Sequence, residues 1–423
     1  MEAKRILSAG VAGLIFCIAS AAGTAGAEDF YKGKRLTIVA SAGPGGGFDL
    51  YARLLGRHIA KFIPGTPSVI NQNRTGASGI VLANYTYNIA PKDGTFIGNV
   101  RASALKDSIL GNKRTKFEGR KFEFIGNLNA ETSSCVFWHT SPAKSVRDFY
   151  TTELVMGGSG RGGESYSYPK LTNSLLGTKF KIILGYRASG LRKLAMERGE
   201  IHGECGSYTS ILKFQRAREI KTGKLKVLMI GSNKPDPEFA HVPNMLDLTK
   251  DPEKRKIMSF MLTPLEIARM FAAPPGTPKD RVQILRTAFD AAVKDLAFLE
   301  DARRGKLNLD TASGAEVEKV VARLYSVTPD LINRVKAALA GRVAERKLVY
   351  YTHTAKIDKV RRKGGRIYFK DRDGSNVQAS VDGKKTEISI AGKKAKRSMI
   401  KAGMTCAVHF AGPYSDAKSV ACE

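Results

Sequence analysis

The sequence predicts an α/β fold in two units with mostly parallel sheets, followed by a small all-β domain. Three observations predict it. Short β-branched runs alternate with stretches of helical periodicity through the first half of the chain. Glycine-rich loops join several of those runs to the helix that follows. From about Arg346 the pattern changes to short alternating runs separated by Asp373-Gly374 and Asp382-Gly383, dipeptides that favour hairpin turns.

The elements follow in chain order. "LTIVA" (36–40) suits a buried parallel strand. After the glycines of "GPGGGFDLYARLL" (43–55), Tyr51, Leu54, Leu55, Ile59 and Phe62 recur at helical spacing, with arginines on the opposite face. "PSVINQ" is a second strand, "NRTGASG" (73–79) its loop and "IVLANYTYNIA" the next helix, which Pro91 stops. "GTFIGNV" (94–100) opens a third strand. A second unit, about 132–230, contains "SCVFWH", "ELVMGGSGRGG", "FKIILGY", a helix near "LRKLAMERG" and "IHGECGS". "KLKVLMIGS" closes it and leads back to the first unit. Further on, "PPGTPKDRVQILRTAFDAAVKDLAFLEDARRG" reads as a pair of amphipathic helices, with Thr277 as N-cap and Pro278 as first helical residue. Ser313 and Glu316 stand at capping-box spacing, and another helix follows Pro329. The terminal runs, about five strands, suit an OB-like barrel or a sandwich.

A chain of 423 residues exceeds one ordinary core, and its 43% hydrophobic content is that of a globular protein. The net charge of +30 favours anionic partners: nucleic acid, an acidic membrane surface or acidic small molecules. The first residues narrow that choice. Lys4 and Arg5, an apolar stretch, and Ala25-Gly26-Ala27 before Glu28 make residues 1–27 a secretory signal peptide. The apolar run is short for an anchor, and bulky Ile15 and Phe16 before Cys17 argue against a lipid on that cysteine. No later run approaches the ~20 apolar residues of a spanning helix. A soluble, exported, monomeric protein is expected, with no nucleic-acid partner. Export also places the cysteines in an oxidising compartment. Cys135, Cys205, Cys406 and Cys422 remain after cleavage, and four cysteines allow three pairings. If the domains are separate, Cys135 with Cys205 and Cys406 with Cys422 keep each bridge inside one of them.

The first glycine loop fits neither phosphate-binding pattern. No Gly-Lys-Ser/Thr follows it, and Phe48 stands where a dinucleotide fingerprint needs its third glycine. What remains is a general device. Gly45, Gly46 and Gly47 let the backbone approach a ligand, and the helix start offers free N–H groups to an anion. A Cβ at Gly46 is expected to crowd that ligand or force an unfavourable backbone angle. Thr75, Gly76, Ala77, Ser78 and Gly79 repeat the device after the second strand. If the two strands are neighbours, both loops converge on one crevice at the carboxyl edge of the sheet. "GGSGRGGES" (157–165) is a third glycine loop. It lacks G-x-S-x-G, so a hydrolase elbow is not supported, but Ser159, Arg161 and Ser165 could donate to an anion. Arg187 in "GYRASG" could add a bidentate fork. "IHGEC" brings His202, Glu204 and Cys205 together, where a disulfide outweighs a metal site or a nucleophile. No catalytic set, metal site or cofactor is indicated.

Taken in order, "YKGKRLTIVASAGPGGGFDLYARLL", "NQNRTGASG", "APKDGTFIG", "GYRASGLRKLAMERGEIHG", "HVPNML", "PPGTPKDRVQILRTAFD" and "SGAEVEKVVARLY" resemble the extracytoplasmic substrate-binding proteins of tripartite tricarboxylate transporters. The resemblance covers roughly residues 28–345. It implies a two-lobed periplasmic binding-protein fold, with residues 28–131 and 231–345 as first lobe and 132–230 as second. It also implies a periplasmic protein that is not an enzyme and delivers a small carboxylate to membrane transporter subunits. The ligand carboxylate would be held by the loops Pro44–Asp49 and Thr75–Gly79, partly through ordered water. Ser159, Arg161, Tyr186, Arg187 and Ser207 would face it from the second lobe. The chain departs from the family at "YSY" (166–168), where a histidine is frequent, and at Cys205-Gly206-Ser207, where a polar or acidic residue is.

Residues 346–423 lie outside the resemblance and carry 18 Lys and Arg against 7 Asp and Glu. That charge allows an anionic envelope surface as partner. An envelope sensor or interaction protein, tethered through this module, is the alternative to a transport receptor.

Overall fold

The computed structural model describes residues 30–186, 189–340, 344–345, 350–372, 374, 376–383, 385–410 and 417–423. The expected signal peptide, Cys17 and Arg187 lie outside the described residues. The chain divides into two compact units, Met1–Ile182 with Ile201–Arg342, and Ile183–Glu200 with Val343–Glu423.

The first unit is built on two sheets. Strands β1 (Arg35–Ala40), β2 (Ser68–Asn73), β3 (Phe96–Asn99) and β4 (Glu123–Asn127) begin the first lobe. Strands β5 (Ser133–Trp138), β6 (Leu154–Gly158), β7 (Phe180–Leu184), β8 (Gly203–Tyr208) and β9 (Leu225–Gly231) make the second. The chain then returns to the first sheet as β10 (Met270–Ala273) and β11 (Ala312–Ser313), giving the order β11-β4-β10-β3-β1-β2. The second sheet runs β7-β6-β8-β5-β9. β2, β1 and β3 are parallel neighbours, whereas the returning β10 is antiparallel to both β3 and β4.

Helices α1 (Gly47–His58), α2 (Ile80–Asn88) and α3 (Ala102–Ile109) follow β1, β2 and β3. α4 (Glu164–Leu176) follows β6, and α5 (Thr209–Gln215) follows β8. The apolar face of α1, with Tyr51, Leu54 and Leu55, packs on Leu36 and Ile38 of β1 and is wholly buried. Each such side chain contributes about 1.5–3 kcal/mol by leaving water. The expected helix after Pro278 begins at Lys279 with Pro278 itself as N-cap. Thr277 does not cap it, because its hydroxyl donates to the Pro274 carbonyl at 2.8 Å and closes the preceding turn. The helix Gly314–Tyr325 does carry the Ser313–Glu316 capping box.

In the second unit, β12 (Ala344–Glu345) runs parallel to Ile183 and Leu184. The terminal module contains β13 (Tyr351–Arg361), β14 (Arg366–Lys370), β15 (Asn376–Ser380), β16 (Glu387–Ile390), β17 (Lys393–Lys394), β18 (Thr405–Phe410) and β19 (Ser419–Cys422). They form one sheet in the order β15-β14-β13-β18-β19-β16-β17. The all-β module is present, but it is an open sheet rather than the expected barrel. Its end strand β17 has two residues, too few to carry a closing ladder. The Asp382-Gly383 turn also does not make a hairpin. The Asp382 N–H donates to the Thr386 hydroxyl and the Thr386 N–H to the Asp382 carbonyl, and β16 then runs parallel to β19 instead of pairing with β15. Asp-Gly spacing predicts a turn, not the partner of the strand that leaves it.

Disulfides join Cys135 to Cys205 and Cys406 to Cys422. In both, the two residues stand opposite each other on antiparallel neighbours, β5 with β8 and β18 with β19. The Cys406–Cys422 bridge spans 16 residues and lies in the core of the terminal module. Replacing both of its cysteines by serine is expected to lower the stability of that module by about 3 kcal/mol. Urea unfolding followed beside the parent protein checks this, and an unchanged transition would contradict it.

Candidate ligand-binding crevice

Because β2, β1 and β3 are parallel neighbours, the loops that leave them lie side by side at the carboxyl edge of the first sheet. The first loop is braced from within. Asp49 is buried, and its carboxylate accepts from the Gly45 N–H at 2.8 Å, Arg53 at 2.9 Å and Asn73 at 2.7 Å. Asn73 also donates to the Ala42 carbonyl at 2.8 Å, which ties the second strand to this loop. Burial alone would raise the Asp49 pKa, but the hydrogen bonds from Arg53, Asn73 and Gly45 outweigh it and hold the group below its ordinary value. Asp49, expected to touch a ligand, is therefore the clamp of the loop.

The glycines divide the work differently from the expectation. Gly45 holds φ +77°, the conformation that needs a glycine, whereas Gly46 is extended at φ −78° and ψ 157°. A Cβ at Gly46 would press on Gly43 and Ala42 of the loop itself, so no unfavourable angle is forced there. The Gly45 and Gly46 N–H groups donate to Asp49 and to the Gly43 carbonyl. The open donors are those of the first turn of α1, Gly47 to Asp49, which no side chain caps. A Cβ at Gly47 would lie 2.8 Å from Ile211 and 3.2 Å from the Arg269 guanidinium, so the backbone itself approaches the second lobe there.

The second loop holds four successive left-handed residues: Gly76, Ala77, Ser78 and Gly79 at φ +138°, +44°, +54° and +95°. Such angles cost the two non-glycine residues about 1–3 kcal/mol each, and strain of this kind gathers at binding sites. Thr75, which opens the loop, is exposed.

The third loop supplies a residue that the sequence reading missed. Arg101 follows β3, and its guanidinium lies 4.1 Å over the Phe48 ring. A Cβ at Gly79 would lie 2.7 Å from its Cδ, so the strained loop makes room for this side chain. Arg101 makes no ion pair with a described residue, and its Nε is buried without a hydrogen-bond partner among them. Burial lowers its pKa, as does Arg269, while Tyr208 and Glu164 act in the opposite sense. Ser41 Oγ, after β1, and Asn99 Oδ1, at the end of β3, are likewise buried without a partner. Buried polar atoms in folded proteins nearly always find one. Of these atoms, the Arg101 Nε and the Ser41 hydroxyl can donate, and two open donors at one sheet edge point to an anion site. The available signal was topological, since "GTFIGNV" ends where the two glycine loops begin.

From the second lobe, the Ser159 N–H donates to the Ser165 hydroxyl at 3.0 Å, and the two hydroxyls meet at 3.1 Å. Arg161 is exposed, 5.8 Å over the Tyr166 ring. The Ser207 carbonyl accepts from the Ser134 hydroxyl at 2.7 Å. Gly206, at φ +79°, packs on the start of α4, where a Cβ would fall 2.7 Å from the Ser165 nitrogen. Glu164 opens that helix and accepts from the Tyr208 hydroxyl at 3.1 Å. Tyr186 belongs to the second unit and donates to Glu200 at 3.2 Å. In the "IHGEC" segment Cys205 is bridged and His202 Nδ1 accepts from the Val155 N–H at 3.1 Å. No cluster of potential metal ligands occurs among the described residues.

Beneath the crevice, Arg269 and Glu131 form a buried ion pair at 2.7 Å, and the Ser210 hydroxyl donates to the same carboxylate. Burial would lower the Arg269 pKa, but Glu131 outweighs it and keeps the guanidinium charged. Phe48, Tyr51 and Tyr208 place their rings 4.5, 4.9 and 5.1 Å from it. A separate cavity of about 490 Å³ lies in the first lobe against Lys121, Glu123, Lys279 and Glu318. Its Glu123 and Glu318 already pair with Lys279 and Arg286, so it offers no unmatched charge comparable to Arg101.

A model of the tripartite tricarboxylate transporter family receptor matches residues 52–336. The chain belongs to that family. Its members are extracytoplasmic receptors that bind small carboxylates and work with a membrane transporter, and the family is not one of enzymes. Among curated protein sequences none matches. A ligand-free solute-binding protein of this family from Polaromonas is 21% identical with a TM-score of 0.54, over 72% of this chain and 99% of that one. MatC from Rhodopseudomonas palustris, solved with malate, is 18% identical with a TM-score of 0.54, over 72% and 99%. A second R. palustris protein, solved with adipate, is 18% identical with a TM-score of 0.54, over 74% and 99%. These likenesses show the two-lobed fold. The family match ends before the β13–β19 module, and no described helix is long and apolar enough to cross a membrane.

Two outcomes follow from the loops. Asp49→Ala should cost about 2–4 kcal/mol of stability, because it leaves buried donors without their acceptor. The folded pKa of Asp49 is depressed, so its contribution is complete above the unfolded carboxylate pKa of about 3.9 and disappears as pH falls through the folded value. Urea unfolding across acidic pH should show a flatter dependence in the variant, and parallel curves would contradict the clamp. Gly79→Ala should displace Arg101 and weaken carboxylate binding by about tenfold, one charge-assisted hydrogen bond. Gly33→Ala, at φ +70° with open space around it, is the control for strain alone. Calorimetry that finds equal affinity in the two variants would contradict the role given to Gly79.

Proposed function

We propose that this protein captures a small organic carboxylate between its lobes and delivers it to a tripartite tricarboxylate transporter. The observation that carries the reading is Arg101, a cation without an ion pair at the edge where three βα loops meet. The carboxylate is received by its guanidinium and by the open N–H groups of α1, where the helix dipole favours an anion. Gly76 to Gly79 shape the wall beside Arg101, and Ser159, Arg161 and Ser207 face the ligand from the second lobe. Malate and adipate in the structures of family members support the ligand class. Binding draws the lobes together about the crossings near residues 128–132 and 232, a hinge closure. The protein acts in the periplasm as a monomer, after removal of its signal peptide, and performs no covalent chemistry.

A thermal-shift screen over mono-, di- and tricarboxylates and amino acids finds the ligand class, and calorimetry of Arg101→Met then tests the site. Loss of one or two charge-assisted hydrogen bonds should weaken binding by about ten- to a hundredfold or more, with the melting temperature of the free protein little changed. Unchanged affinity would place the carboxylate elsewhere.

A further inference from the structure

Arg101 and Lys106 of the first lobe and Glu164 of the second are at least half-buried, and none of them makes an ion pair with a described residue. Arg101 is half-buried, Lys106 is 4% exposed and Glu164 is half-buried. Arg101 answers to the carboxylate site. Glu164 does not, because a carboxylate is the wrong group to line a pocket for anions. It is also held in place. Its Oε1 accepts from the Tyr208 hydroxyl at 3.1 Å, and a Cβ on Gly206 would lie 2.8 Å from its Cβ, so β8 packs directly against it. The groups that face it are Lys106 and Arg101 of the first lobe, Arg269 below, Tyr208 from β8 and Tyr168 on its own helix. Arg269 is engaged by Glu131, and Lys106 has buried Asp107 beside it in α3. The second carboxylate oxygen of Glu164 has no donor among the described residues.

We propose that Glu164 sets the ligand class, selecting a compound that carries an ammonium group together with its carboxylate, a zwitterionic amino acid, over di- and tricarboxylates. The inference rests on the crevice being the carboxylate site. With one ligand carboxylate on Arg101 and the α1 N–H groups, the rest of the ligand meets Glu164. A second carboxylate there opposes a like charge in a water-poor setting, whereas an ammonium completes a charge-assisted hydrogen bond. Burial raises the Glu164 pKa, against the pull of Lys106, Tyr208, Arg101 and Arg269, and a ligand ammonium favours the ionised form.

The test is calorimetry on the full-length exported protein near neutral pH. The probes are L-alanine, L-leucine and L-glutamine, each beside the 2-hydroxy acid of the same skeleton, with malate and adipate as dicarboxylates. At least one amino acid should bind about ten- to a hundredfold more tightly than its hydroxy acid. Glu164→Gln should abolish that preference and tighten malate or adipate. Tyr208→Phe, which removes only the hydrogen bond to Glu164, should reduce the preference and serves if Glu164→Gln does not fold. The inference is overturned if dicarboxylates bind the parent more tightly than every amino acid, or if Glu164→Gln leaves amino-acid affinity unchanged. Dicarboxylate binding that strengthens as pH falls below neutrality would also overturn it, by showing a protonated Glu164 that donates to the second carboxylate. A protein that binds dicarboxylates through Arg101 but is indifferent to Glu164 defeats this inference alone. If no carboxylate of either class binds, the crevice reading falls with it.

Discussion

The buried pair of Arg269 and Glu131 is the constraint on which the rest of this structure depends. Glu131 lies where the chain first crosses from β4 to β5, and Arg269 stands just before β10, where the chain has returned to the first sheet. Ser210 of the second lobe donates to the same carboxylate, so one acceptor joins both lobes and both passages of the chain. Removing one member of such a pair typically costs about 3–5 kcal/mol, because the other charge stays buried without a partner. The guanidinium also floors the crevice. The Phe48 ring has the Arg101 guanidinium at 4.1 Å and the Arg269 guanidinium at 4.5 Å, so the residue after the glycines is held by two cations.

That arrangement turns a short apolar strand into a receptor edge. The parallel run of β2, β1 and β3 brings three loops together, Asp49 stiffens the first, and left-handed backbone in the second leaves room for Arg101. The two arginines have different tasks, which their partners decide. Arg269 is satisfied from within and holds the lobes, while Arg101 is available to a ligand. Charge number alone does not distinguish them, and the net charge of +30 says less about the ligand than the pairing of these two residues.

Local chemistry in the sequence marked the strands that begin β-branched runs and the two glycine loops after β1 and β2, because strand period and glycine spacing are properties of neighbouring residues. It did not mark β4 or β10. "FEFIGN" has the alternation but follows a charged stretch, and "MFAA" is too short and too poor in β-branched residues to register as a strand. Arg101, Glu131, Glu164 and Arg269 escaped for a related reason. Each is an ordinary charged residue in its own segment, and its meaning comes from distant partners, as with Arg269 and Glu131, 138 positions apart. The terminal module shows the same limit. Its alternating runs announce strands, but the parallel pairing of β16 with β19 is set by tertiary packing.

The position of the ligand carboxylate decides whether Arg101 and the start of α1 form the receptor site. The most direct measurement is a crystal structure of the protein with the tightest ligand found by calorimetry. One carboxylate is expected within hydrogen-bond distance, direct or through one water, of the Arg101 guanidinium and of the N–H groups of Gly47 to Asp49, with the lobes closed over it. A ligand bound elsewhere, or in the crevice with its carboxylate turned away from Arg101, would contradict it.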